Sequence, residues 1–159
     1  MKKIFIGSDK SGFSLKETVK ADLLAQNYEI EDIGTLDEEK PFPFFEIAER
    51  GAKLIQEGKY ERGILICGTG MGMSIVSNKH EGVYGAACES VYTAEKARAI
   101  NDANILCMGG WMIAPILGTQ MANTFLNTEF TQNLEDWRAK NLEKARIVVR
   151  EIEKKSFNK

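Results

Sequence analysis

A single histidine, His80, stands in the 159-residue chain, which excludes a metal cluster built on several imidazoles. It sits in the polar stretch Asn78-Lys79-His80-Glu81-Gly82 and reads as a solvated loop residue. Cysteine is scarce too. Cys67, Cys88 and Cys107 form no C-x-x-C pair and leave an odd count, which fits a reducing cytoplasm better than a disulfide framework. There is no G-x-S-x-G elbow, so Ser-His-Asp catalysis is unpromising. No apolar run approaches the roughly 20 residues of a membrane span, and Met1 to Phe5 is too brief for a signal peptide. A net charge of -2 gives nucleic acid or a membrane surface no electrostatic hold. No repeat, linker or low-complexity tract divides the chain. One cytoplasmic domain over residues 1–159 is expected, with no nucleic-acid and no membrane partner.

What is present is an alternation. Strand-like runs at Lys3–Gly7, Tyr28–Ile33, Gly63–Ile66, Tyr84–Cys88 and Ile105–Met108 are separated by segments with helical spacing of apolar residues. Those segments are Phe13–Ala25, Phe44–Gln56, Ser74–Lys79, Tyr92–Ile100 and Ile113–Leu126. This order predicts an α/β fold: five parallel strands with helices on both faces. A long terminal helix, Leu134–Lys155, carries an apolar stripe of Leu134, Trp137, Leu142, Ala145, Val148, Val149 and Ile152, with Glu143 and Arg146 spaced to pair. The segment 131–159 packs either on its own domain or on a second subunit.

Two glycine-rich loops follow strands. Gly7-Ser8-Asp9-Lys10-Ser11-Gly12 is not a P-loop, because Phe13-Ser14 stands where Lys-Ser/Thr is required. Gly68-Thr69-Gly70-Met71-Gly72 is not a dinucleotide fingerprint, because Met73 replaces the third glycine. Both lie at strand carboxyl ends, where open α/β sheets bind ligands. Lys10 and the loop N–H groups suit a phosphate. Cys67 ends its strand directly before the second loop, where N–H groups at a helix start can stabilise an anion and lower a thiol pKa. Cys88 and Cys107 have apolar neighbours and read as small buried hydrophobes. Pro41-Phe42-Pro43-Phe44-Phe45 could line a pocket or cap the core, with the core favoured.

These residues carry a resemblance. Ile4 to Gly12 with Lys16, Asp32-Ile33-Gly34-Thr35, Gly63 to Gly72, Ser74, Asn78-Lys79 and Asn101-Asp102-Ala103-Asn104 occur in order at the spacing of a known family. Over residues 1 to about 130 the chain resembles the type B ribose-5-phosphate and galactose-6-phosphate isomerases. The resemblance implies a Rossmann-like three-layer α/β/α fold and a dimer or tetramer with sites between subunits. It also implies aldose–ketose isomerisation of a sugar phosphate through a cis-enediolate, with no metal and no cofactor. Cys67 matches the base that moves a proton between C1 and C2, and Thr69 a position beside the reacting oxygens. Gly68, Gly70, Met71 and Gly72 match the enediolate cradle, Asp9 a holder of sugar hydroxyls, and Asn101 a substrate-contacting amide.

The departures from the family pattern are specific. Lys10 stands where the family has histidine after the aspartate, and Ile100 where it has the ring-opening histidine. Leu134 takes the first place of a phosphate-binding arginine pair, Arg138 the second, and Trp111 replaces an arginine after the fifth strand. Lys10, Lys40 and Arg138 remain to supply charge to the phosphate. Ribose 5-phosphate and the pentose phosphate pathway are the family default. A tetrose 4-phosphate or a galactose or allose 6-phosphate is the sibling alternative, and a non-catalytic sugar-phosphate-binding subunit of a heteromer is the alternative of another class. A tetrose 4-phosphate cannot close a furanose, so it needs no ring-opening histidine.

Overall fold

The computed structural model describes residues 2–158; Met1 and Lys159 lie outside it. Five strands form one parallel sheet in the order β2-β1-β3-β5-β4: β1 (Lys3–Ser8), β2 (Glu29–Asp32), β3 (Gly63–Cys67), β4 (Gly85–Ala87) and β5 (Ile105–Gly109). Five helices connect or follow them: α1 (Phe13–Ala25), α2 (Phe44–Gln56), α3 (Met71–Ser77), α4 (Val91–Ala99) and α5 (Pro115–Asn127). The long helix α6 (Asp136–Phe157) ends the chain.

Strand alternation builds the two cores. Ile4 and Ile6, Ile64 and Ile66, Leu106 and Met108 face one side, against α1, α4 and α5. Their neighbours Phe5, Leu65, Cys67, Ile105 and Cys107 face the other, against Ile47, Ala48 and Ala52 of α2 and Met73 of α3. A sheet buried on both faces explains why these strands read as continuous apolar runs.

The chain runs one way from β1 to β2 and the other way to β3. Loops leaving β1 and β3 therefore part, opening a crevice outside their carboxyl ends. The register Gly7↔Leu65 and Cys67↔Gly109 brings the ends of β1, β3 and β5 to this one edge.

Two sequence expectations need correction. Helix α3 begins at Met71 rather than Ser74, because Gly70 adopts a left-handed conformation (φ 78°) that closes the turn early. Glu143 and Arg146 do not pair; Arg146 reaches Asp102 at 3.0 Å instead. The stripe of α6 is largely exposed on this chain, Trp137 at 65% and Ile152 at 58%.

The edge opposite the crevice is held by polar bonds. The Tyr84 hydroxyl donates to Glu153 of α6 at 2.7 Å, and the Tyr60 hydroxyl donates to Glu31. Burial, and then the adjacent carboxylate, push each phenol up to about 12. Their neutral forms are favoured in the folded state. The stabilisation is thus complete below the ordinary tyrosine value near 10 and is lost as pH rises through about 12. Absorbance titration of the phenolate should show Tyr60 and Tyr84 ionising near pH 12, coincident with alkaline unfolding. Ionisation of both near pH 10 in the folded protein would refute this.

Candidate active site

Cys67 is the last residue of β3 and is 5% exposed. Its Sγ accepts the Gly70 N–H at 3.1 Å, so the glycine turn curls back over the strand end and fixes the sulfur. The Met71 N–H turns to Thr69 Oγ1 at 3.3 Å. These bonds revise the expected cradle: the Gly70 and Met71 N–H groups are engaged within the turn. The N–H groups of Gly68, Thr69 and Gly72 have no acceptor among the described residues and remain for an anion.

The other cysteines differ. Burial pushes the Cys107 thiol well above its ordinary value, and the Cys88 thiol up as well. Both are neutral near pH 7 and pack as small hydrophobes, as expected from their neighbours.

The loop after β1 borders the same crevice. The Asp9 N–H donates to Ile66 O at 3.3 Å, tying this loop to the end of β3. Burial raises the Asp9 pKa, offset in part by N–H bonds from Gly12, at 3.1 Å, and Ser11. Lys10 is exposed beside it and forms no ion pair among the described residues.

The loop after β2 lies on this edge too, and a buried cation fastens it. Lys16, in the first turns of α1, is 0% exposed. Its ammonium donates to Asp32 Oδ2 at 2.6 Å and to the Thr35 carbonyl at 2.5 Å. Thr35 Oγ1 in turn accepts the Phe42 N–H at 3.1 Å. Lys40 is exposed on the loop so held. Phe42 and Phe45 do not cap the core: they are 39% and 52% exposed. Two prolines bring the chain back over the turn, and a Cβ on Gly72 would stand 2.8 Å from the Phe44 ring. Phe44 satisfies both readings of the aromatic run: it packs against the core at the start of α2, and its ring lies on the glycine turn.

Asn101 and Arg138 are not in this group. Helix α4 runs back across the sheet, so Ile100 and Asn101 precede β5 at the opposite edge, about 13 Å of strand away. There they line a cavity of about 300 Å³ with Tyr84, Leu142, Arg146 and Val149. Arg138 opens α6 after a segment anchored on that same edge, where Thr131 N donates to Ala99 O at 2.9 Å. One chain thus brings together Asp9, Lys10, Lys40, Cys67, Thr69 and the glycine turn, and leaves Asn101 and Arg138 behind.

A sulfur fixed at a strand end, free amides and a carboxylate at one crevice suit proton transfer next to a carbonyl. Residues 4–142 match the family described as Ribose/Galactose Isomerase. The chain belongs to that family.

Ribose-5-phosphate isomerase B from Clostridium thermocellum has the same architecture. Its structure aligns with a TM-score of 0.87 at 34% identity, covering 97% of this chain and 99% of that one. A protein of Clostridium sp. (strain MSTE9) named 4-deoxy-4-sulfo-D-erythrose isomerase is 63% identical over 157 residues, 99% of each chain. A D-erythrulose-4-phosphate isomerase of Pectobacterium atrosepticum is 36% identical, covering 82% of this chain and 86% of its own length. This member of the ribose/galactose isomerase family is therefore an aldose–ketose isomerase. Among the described residues no helix is long and apolar enough to cross a membrane.

Proposed function

We propose that the substrate is a four-carbon aldose bearing a terminal sulfonate, 4-deoxy-4-sulfo-D-erythrose, converted to its 2-keto isomer. The observation that carries this reading is the 63% identity, along 99% of both chains, to a relative of that name. Two features of the chain agree. Ile100 stands where the family has its ring-opening histidine, and a sugar whose C4 carries sulfur has no oxygen there to close a furanose. Leu134 removes one member of the family's arginine pair, and a sulfonate carries a single charge where a phosphate monoester carries about 1.5 to 2. Lys10, with Lys40 on another loop of the same sheet edge, is the cation assigned to the sulfonate.

In the proposed reaction the Cys67 thiolate takes the proton from C2. Charge moves onto the aldehyde oxygen, which becomes the enediolate oxygen, and the N–H groups of Gly68, Thr69 and Gly72 stabilise it without reorganising. The Thr69 hydroxyl helps move the proton between the two oxygens. Cys67 then returns its proton to C1, leaving the ketose and a regenerated thiolate. Asp9 accepts bonds from the remaining hydroxyls.

Asn101 and Arg138 reach a site only if they come from a second copy, which supports a homodimer with shared sites. The exposed stripe of α6, including Trp137 and Ile152, is an apolar surface that such a partner would cover.

The test is a panel run on the purified chain alone: 4-deoxy-4-sulfo-D-erythrose, D-erythrulose 4-phosphate, ribose 5-phosphate and galactose 6-phosphate. The sulfotetrose should show kcat/KM at least tenfold above ribose 5-phosphate, about 1.4 kcal/mol in transition-state binding. Efficient turnover of ribose 5-phosphate with none of either four-carbon sugar would restore the family default. Silence on the whole panel would point to a heteromer that needs an unlike chain.

A further inference from the structure

Helix α6 has no buried residue on this chain, so no core contact fixes its direction. Polar bonds hold it instead. Glu153, near its end, accepts the Tyr84 hydroxyl and the Gly82 N–H, each at 2.7 Å. In its middle, Arg146 Nη1 donates to Asp102 Oδ2 at 3.0 Å, and Arg150 Nη2 lies 3.8 Å from the same oxygen. The Arg146 guanidinium also lies 4.4 Å from the centroid of the Phe130 ring, in the segment that leads into the helix. Arg138 is in the first turn of α6, about 12 Å of helix before Arg146 and beyond both attachments. Its place is therefore set chiefly at the Asp102 contact.

Asp102 also fixes the turn that carries Asn101. It stands past the end of α4 in a left-handed conformation (φ 53°), where glycine or asparagine is usual. An aspartate tolerates that backbone, but the backbone does not call for a carboxylate. The contacts do. Asp102 Oδ1 accepts Arg98 Nη1 at 3.1 Å. Arg98 is 6% exposed; its Nη1 also donates to Ala103 O at 2.6 Å, and its Nε to Thr128 O at 3.3 Å. One carboxylate thus joins α4, the turn before β5, the residue after α5 and α6. Asn101, Asp102 and, from α6, Leu142 and Arg146 line the same cavity.

We propose that Asp102 is a positioning residue for the isomerisation. Through Arg98 and Arg146 it sets Asn101 and the start of α6 as one rigid unit, which each chain presents to the site of its partner. Asp102 itself touches no substrate. This assignment rests on the reading of a homodimer with shared sites, and it names what keeps the donated residues in register.

The assay uses whichever sugar of the panel wild type turns over best, so it does not depend on the choice of substrate. Asp102→Asn suits the left-handed turn and removes the charge. It should raise KM about tenfold with kcat within about threefold of wild type. Arg146→Ala should do the same while leaving the Arg98–Asp102 pair and every buried residue in place, so a folded variant is at hand. Arg146→Lys, which keeps a cation opposite Asp102, should hold KM within about threefold of wild type.

A hybrid dimer locates the effect. A Cys67→Ala chain is co-expressed with an Asp102→Asn chain, and the mixed dimer is isolated through two different affinity tags. Its one intact Cys67 lies on the Asp102→Asn chain and meets the intact Asp102 of the other chain. The hybrid should therefore show the wild-type KM at about half the wild-type kcat.

An unchanged KM in both Asp102→Asn and Arg146→Ala would overturn the role of Asp102 and leave the shared site standing. A KM raised in these variants and still raised in the hybrid would confine the effect to one chain. That result would sink the shared-site reading, and this proposal with it. A kcat that falls with the melting temperature in every variant, Arg146→Lys included, at unchanged KM would reduce the hub to a structural clamp and overturn the proposal as well.

Discussion

Cys67→Ala should abolish isomerisation, lowering kcat by about a thousandfold or more, with the unfolding transition little changed. A positioned general base contributes on the order of 10²–10⁴ in rate, and Cys88, which follows β4 on the same sheet edge, is two strands away and buried. Cys88 and Cys107 are the internal controls. Both are buried, and burial raises both thiols, so neither holds the charge that proton abstraction needs. Their alanine variants should keep most of the activity and lose only packing. The decisive measurement is single-turnover incorporation of solvent deuterium into the ketose, which reports proton transfer itself. Exchange at the wild-type rate in Cys67→Ala would remove the sulfur from the mechanism.

Lys16→Met should unfold most easily of the single substitutions near the site. The ammonium is completely buried, and its loss leaves the Thr35 carbonyl without that partner and the Asp32 carboxylate with Lys20, at 2.7 Å, as its remaining cation. Removing one member of a buried pair costs about 3–5 kcal/mol. Because Lys20 persists, the lower figure applies, about 3 kcal/mol, or roughly 6–12 °C in Tm for a domain of this size. Urea and thermal unfolding measure it. The loop from Thr35 to Phe42 should also loosen, so KM should rise more than stability alone explains under conditions where the variant is folded. A Tm within 2 °C of wild type would show that Lys20 alone carries the Asp32 charge.

Much of the fold was legible because local rules sufficed. The bounds of α1 and α2 follow from apolar spacing, and the five strands from apolar runs that a doubly covered sheet requires. The site was legible where it lies on one strand end: Cys67 and its glycine turn are contiguous, so their proximity is covalent. Pairing on α6 was misread, because Arg146 finds Asp102 across the fold rather than Glu143 one turn away. Helix spacing gives the nearest partner on the helix, not the strongest one in space. The aromatic run 42–45 stayed open between lining a pocket and capping the core for a related reason. Composition says that phenylalanine is buried, but chain direction decides against what, and here Phe44 lies over Gly72.

By itself the sequence determined the strand-helix alternation, the parallel sheet, the family, and a sulfur-and-glycine turn at a strand's carboxyl end. All are properties of contiguous residues and their periodicity. Tertiary structure decided which loops share an edge. Strand order put the loops after β1 and β5 next to the end of β3 that carries Cys67, and the return of α4 across the sheet carried Asn101 to the opposite edge. Those outcomes depend on how strands neighbour one another, and no spacing along the chain encodes them.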